Sequence, residues 1–139
     1  MNIPASDNLH LKEEAGGVTI PFEHNRNDKG SLFAGSIYAG AILAAYRAAE
    51  RLFAERELGG DLVAKTATVS YLRRIVSDGR ATASPQGEPV CKPNGNRVLR
   101  VAVAVADAAG VPCAELTAEL VLMKDRTQAP QAREEKGSV

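Results

Sequence analysis

Phe33-Ala34-Gly35-Ser36-Ile37-Tyr38-Ala39-Gly40-Ala41-Ile42-Leu43-Ala44-Ala45-Tyr46 runs without a single charge. It opens a proline-free segment from Ala34 to Leu58, dense in Ala, Leu, Ile, Arg and Glu, which predicts the longest helix of the chain. The second half changes character, carrying Arg47, Glu50, Arg51, Glu55, Arg56 and Glu57. A helix that is apolar all round is buried on every side, whereas a charged one reaches solvent. The first half therefore predicts a central helix enclosed by protein, with Ala34, Gly35, Ala39, Gly40 and Ala41 small enough for close backbone approach. Gly59-Gly60 is the expected stop.

On the N-terminal side, Val18, Ile20 and Phe22 alternate, the period of a strand over Gly17 to Phe22. An earlier start near Leu9 to Lys12 would place a bend at Gly16-Gly17. Glu23 to Ser31 reads as a polar loop. Beyond the helix the period becomes two. Asp61 to Val76 is β-branched, Ser77-Asp78-Gly79 predicts a hairpin turn, and Arg80 to Ser84 predicts the return strand. Pro85, Pro89, Pro93 and Asn94-Gly95 predict a loop. Leu99, Val101, Val103 and Val105 share one face of Val98 to Ala106, opposite Ala102, Ala104 and Ala106. After a turn at Asp107 to Gly110, Val111 to Lys124 sets Ala114, Leu116, Ala118, Leu120 and Leu122 against Glu115, Thr117 and Glu119. One wet and one covered face is the pattern of an antiparallel sheet. The order predicts an α+β domain of the hot-dog kind over residues 1–124, a curled sheet around one helix, with a generic two-layer sandwich as the alternative. Asp125 to Val139 has no periodicity and predicts a disordered tail.

The chain has 139 residues, 45% hydrophobic and 24% charged, which is enough for one core. Seventeen Lys plus Arg balance seventeen Asp plus Glu, which argues against nucleic acid as a partner. No stretch has the roughly 20 apolar residues of a membrane span. Met1 to Ala15 lacks the apolar run of a secretory signal. The expectation is a cytoplasmic protein whose two cysteines, Cys91 and Cys113, are reduced. Two cysteines and two histidines in no ligand spacing argue against a zinc cluster, and no metal or cofactor is expected.

Asn25 and Asn27-Asp28-Lys29-Gly30, followed by Phe33-Ala34-Gly35-Ser36, resemble the signature of the thioesterase-type hot-dog domains of the YiiD C-terminal kind. That family shows an Asn-x-Asn-Asp-Lys-Gly loop and then Phe-(Gly/Ala)-Gly-Ser at the start of the central helix. Val69-Ser70-Tyr71-Leu72-Arg73 is similar to the aromatic-Leu-Arg stretch of many hot-dog acyl-CoA enzymes. The resemblance covers about Leu9 to Lys124. It implies a homodimer, or a dimer of dimers, acting on acyl thioesters of coenzyme A or acyl carrier protein. The departures are specific. Where many relatives have His-Gly-Gly this chain has Phe33-Ala34-Gly35, their helix carboxylate falls near Ile42, and the first acidic residue in the helix is Glu50.

Thioester hydrolysis needs a polarised carbonyl and a positioned water. The unpaired N–H groups at a helix start carry partial positive charge and favour an oxygen that gains negative charge. Gly35 lets a substrate approach that backbone, and Ser36 is expected either to cap the helix or to assist the oxygen. Asp28, the carboxylate of the signature loop, or Glu23 just before it is the candidate general base, and Asn25 or Asn27 the residue that orients water. Asn25, Phe33, Tyr71, Arg73 and Arg74 are the expected substrate contacts, the arginines toward phosphates together with Lys92, Arg97 and Arg100. Turn chemistry alone also accounts for Asn27 and Asp28, and core packing for Tyr38 and Tyr46. His24 would serve a dehydratase or hydratase on the same fold, although the helix carboxylate that pairs with it is missing. A non-catalytic acyl-binding domain is the third reading.

Overall fold

A computed structural model describes residues 2–124, so the tail expected from Asp125 onward lies outside the described residues. The elements run α1 (Pro4–Asn8), β1 (Lys12–Glu14), β2 (Gly17–Ile20), α2 (Phe22–Asn25), α3 (Ala34–Glu55), β3 (Asp61–Tyr71), β4 (Gly79–Cys91), β5 (Arg97–Ala106) and β6 (Pro112–Met123). The strands form one antiparallel sheet in the order β1-β2-β4-β5-β6-β3. Helix α3 packs on one face of it, chiefly against β4, β5, β2 and β6. The alternation expected for β5 and β6 is present: Leu99, Val101, Val103 and Val105 are buried, as are Ala114, Leu116, Ala118, Leu120 and Leu122.

Several boundaries differ from expectation, each for a local reason. The strand expected over Gly17 to Phe22 is β2 and ends at Ile20, because Pro21 has no N–H to continue the ladder, and α2 follows with Phe22 N–H donating to Asp78 Oδ1 (2.8 Å). The bend before β2 falls at Ala15 and Gly16, both with positive φ (49° and 77°), which fits a two-residue hairpin. No hairpin joins β3 to β4. Strand β3 stops at Tyr71 and pairs with β6, while two strands separate it from β4. Between them the chain crosses the end of the sheet, where Ile75 is wholly buried and its carbonyl accepts Leu32 N–H (2.8 Å). Pro85 and Pro89 lie inside β4 rather than in a loop. Strand β2 pairs only as far as Thr82, so their missing N–H groups fall on a free edge and at a register shift between Gln86 and Val90.

Helix α3 ends at Glu55, short of Gly59-Gly60. Glu57 N–H donates to Ala54 O (3.0 Å) and Leu58 N–H to Phe53 O (2.9 Å), a Schellman closure with Glu57 at the left-handed position (φ 56°). A left-handed conformation costs a non-glycine residue roughly 1–2 kcal/mol, part of which glycine returns as unfolded-state entropy. Glu57→Gly is therefore expected to raise stability by about 0.5–1 kcal/mol, read as a higher urea midpoint at an unchanged slope.

The uncharged half of α3 is not enclosed on all sides by its own chain. Ile37, Gly40, Ala41, Leu43, Ala44 and Ala45 are buried, but Tyr38, Ala39, Ile42 and Tyr46 are only half-buried and Phe33, Ala34 and Gly35 are exposed. A single sheet covers one side of a helical cylinder. The other side is left apolar and open.

Candidate functional site at the start of the central helix

The signature loop is a closed hairpin that delivers the chain to α3. Arg26 bridges Leu32, Asn27 N–H donates to Ser31 O (2.8 Å), and Phe33 N–H donates to Asn25 O (2.8 Å). The Asn27 side chain ties this loop together: Oδ1 accepts Lys29 N–H (2.9 Å) and Ser31 N–H (3.1 Å), and Nδ2 donates to Ser31 Oγ (3.1 Å). Asp28 stands at the tip, its carboxylate 88% exposed and 3.8 Å from Lys29 Nζ. Arg74 holds the loop from outside, donating from Nη2 to Lys29 O (2.8 Å). Arg73 is exposed beside it.

Asn25 is buried, and both amide hydrogens go to backbone carbonyls, Leu9 O (2.8 Å) and Pro21 O (2.9 Å). Those two acceptors fix the orientation of the amide. Its Oδ1 is, among the described residues, the buried side-chain oxygen left without a partner. Asn25 thus ties the N-terminal segment, α2 and the entry to α3 together, a role that its spacing in the sequence did not reveal. Among the described residues His24 has no carboxylate partner; its ring stacks on His10, centroids 3.8 Å apart. The pairing of two histidines far apart in sequence was equally unreadable beforehand.

Phe33 is the N-cap of α3 and provides no side-chain cap, so the capping role open to Ser36 is not taken up. Ser36 sits in the first turn and is buried. Ser36 N–H (3.0 Å) and Ile37 N–H (3.1 Å) both donate to Phe33 O. The N–H groups of Ala34 and Gly35 have no partner among the described residues, and both residues are exposed. The Phe33 ring lies on Gly35, where an added Cβ would come within 2.6 Å of ring carbon Cε2. Tyr71, the last residue of β3, donates from Oη to Ala34 O (3.0 Å). Burial pushes the Tyr71 hydroxyl above its ordinary pKa, with Tyr38 adding to the effect. Phe33 and Tyr71 are exposed beside these donors (57% and 47%), and Leu72 and Val76, on the segment that crosses the end of the sheet, are exposed as well (55% and 64%).

Phe33, Gly35, Ser36 and Tyr71 therefore meet at one end of α3, with Asn25 bonded to Phe33 at the base of the loop, Asp28 at its exposed tip, Arg74 fastened to the loop at Lys29 and Arg73 exposed. Lys92 and Arg97 do not join them. They flank the β4–β5 turn, where Arg97 shares a hollow of about 430 Å³ with Leu58 beyond the other end of the helix. Arg100 pairs with Glu119 (3.5 Å) in the middle of the sheet. Glu50 is bound to Arg47 (2.7 Å), which also grips Glu13 of β1 (2.6 Å). Burial alone would raise the Glu50 carboxyl, yet its cationic partners, Arg47 among them, leave it below its ordinary value.

Over residues 1–123 the sequence matches the family described as "Putative thioesterase (yiiD_Cterm)". The chain belongs to that family. Its sheet-and-helix arrangement is the hot-dog fold of the solved structures similar to it. One from Shewanella oneidensis, named a putative thioesterase, superposes with a TM-score of 0.78 at 22% identity, covering 87% of this chain and 89% of that one. A Mycobacterium tuberculosis protein named a putative esterase gives 0.71 at 18% identity, covering 87% and 97%. A Bacillus halodurans protein solved with CoA gives 0.64 at 17% identity, covering 88% and 78%. No curated protein matches the sequence.

Proposed function

We propose that this protein hydrolyses acyl thioesters of coenzyme A or acyl carrier protein in the cytoplasm. One observation carries the reading: the paired, unsatisfied N–H groups of Ala34 and Gly35 at the start of a 22-residue helix. They form a seat for a carbonyl oxygen that becomes an oxyanion when water adds to the thioester carbon. Collapse of the tetrahedral adduct breaks the C–S bond, releasing a carboxylic acid and a thiolate. Asp28 is the proposed general base for the water, as the carboxylate of the loop that feeds the helix start. The apolar surface of Phe33 and Tyr71 receives the acyl chain or pantetheine arm, and Arg73 and Arg74 take carrier phosphates. The stacking of His24 on His10 and the lack of a carboxylate on the helix before Glu50 disfavour the dehydratase alternative. A thiol-release assay over acyl-CoA chain lengths tests the reading. Turnover supports it, and acyl binding without thiol release overturns it in favour of a binding domain.

We further propose that a second copy completes the site. Strand β3 is an eleven-residue edge with no wholly buried residue, beside the open side of α3 and the exposed apolar surface at its start. Long free edges and apolar patches of this kind are ordinarily covered. Light scattering at micromolar concentration is expected to give the mass of a dimer or a dimer of dimers; a stable monomer would sink this proposal.

A further inference from the structure

We propose that Tyr71 is a positioning residue for hydrolysis, acting through the peptide that joins Ala34 to Gly35; the inference rests on the thioesterase reading above. Tyr71 Oη donates to the carbonyl of Ala34 at 3.0 Å, across 37 residues of sequence. That carbonyl and the N–H of Gly35 are the two ends of one planar amide. A hydrogen bond received at the oxygen draws electron density from the nitrogen and makes the N–H a stronger donor. Such cooperative strengthening is about 10–30% per bond in condensed-phase estimates. The same bond fixes the plane of the peptide, and with it the direction in which Gly35 N–H points.

The neighbouring donor has an equivalent arrangement from another source. Ala34 N–H belongs to the Phe33–Ala34 peptide, whose carbonyl accepts Ser36 N–H and Ile37 N–H. Both peptides that present free N–H groups thus have their oxygens engaged, one by the first turn of the helix and the other also by a side chain from the sheet. A helix carbonyl has two lone pairs, so the Tyr71 bond adds to the helical one. Tyr71 is a rigid base for it. The residue pairs with Ala114 at the end of the β3–β6 ladder, and the next two residues, Leu72 and Arg73, donate their N–H groups to Cys113 O (2.8 and 3.1 Å). The residue as a whole is 47% exposed, so no closed core demands this hydrogen bond. With its ionisation pushed upward by burial, the phenol remains a donor at neutral pH.

The experiment compares wild type with Tyr71→Phe in the full chain, on the acyl-CoA that the wild type turns over best. Loss of one hydrogen bond that acts on the transition state is expected to lower kcat about 3- to 10-fold while KM stays within about twofold. The ¹⁵N resonance of the Gly35 amide should shift, while that of Gly95, at the far turn, should not. Tyr71→Leu, which also removes the ring, should add a rise in KM. Equal kcat for wild type and Tyr71→Phe, or an unmoved Gly35 resonance, overturns the proposal. A wild-type protein with no turnover on any acyl-CoA or acyl carrier protein thioester overturns the thioesterase reading itself, and this proposal with it.

Discussion

Asp28→Asn is expected to lower the turnover number on a common acyl-CoA by about 10²–10⁴, the range typical for loss of a positioned general base. Glu50→Gln should leave turnover within a factor of about three. Asp28 sits on the loop that ends at Phe33, where the Ala34 and Gly35 donors begin. Glu50 lies fifteen residues beyond Gly35, about 22 Å along the helix, and its carboxylate is bound to Arg47. The loop does not depend on the Asp28 carboxylate for its shape, since Asn27 supplies the internal hydrogen bonds and, among the described residues, Asp28 meets Lys29 alone at 3.8 Å. Asparagine keeps the size and turn preference, so thermal melts of Asp28→Asn should match wild type. Glu50→Gln, by contrast, weakens the link between α3 and Glu13 of β1 through Arg47 and should show its effect in the melt. Turnover of Asp28→Asn within about threefold of wild type would reduce Asp28 to a loop residue. The base would then be sought at Glu23, at His24 or in a water held by an asparagine of the loop.

The elements with strong internal periodicity were legible in the sequence. The alternation of Leu99 to Val105 and of Ala114 to Leu122 defines two central strands because each residue's burial depends only on which face it occupies. The uncharged run from Phe33 to Tyr46 marked the helix for a similar reason, yet it misled about enclosure. Absence of charge says that a surface is to be covered, not that the same chain covers it. Pairing was less legible. Ser77-Asp78-Gly79 has hairpin chemistry, but Ile75 buries itself beneath the helix start and carries the chain across the sheet, which no local pattern encodes. At the site, the motif located the loop and the helix start. The bonds that shape them, Tyr71 to Ala34, Asn25 to Leu9 and Arg74 to Lys29, join residues sixteen to forty-five positions apart. Each is a consequence of packing, so it emerges only once the sheet has curled around α3.

That curl depends on a close approach which a pair of substitutions should expose. Gly40 faces β2, and a Cβ built there would lie 2.5 Å from both Cδ1 and Cγ1 of Ile20, a wholly buried residue. Alanine is the better helix former by about 1 kcal/mol, so propensity alone makes Gly40→Ala stabilising. The contact argues the other way. Overpacking a close-fitted core typically costs about 1–3 kcal/mol, and Ile20 cannot swing into solvent as an exposed side chain would. The expected result is a net loss of stability, seen as a lower urea midpoint at unchanged slope. Ile20→Ala alone should cost about 2–5 kcal/mol through lost burial and the cavity left behind. In the double variant the methyl group added by Gly40→Ala occupies part of that cavity and the steric conflict is gone. Its loss should therefore fall short of the sum of the single losses by about 1 kcal/mol or more, a coupling that residues in direct contact commonly show. Additive losses, or a Gly40→Ala protein more stable than wild type, would mean that α3 stands farther from β2 than this packing requires.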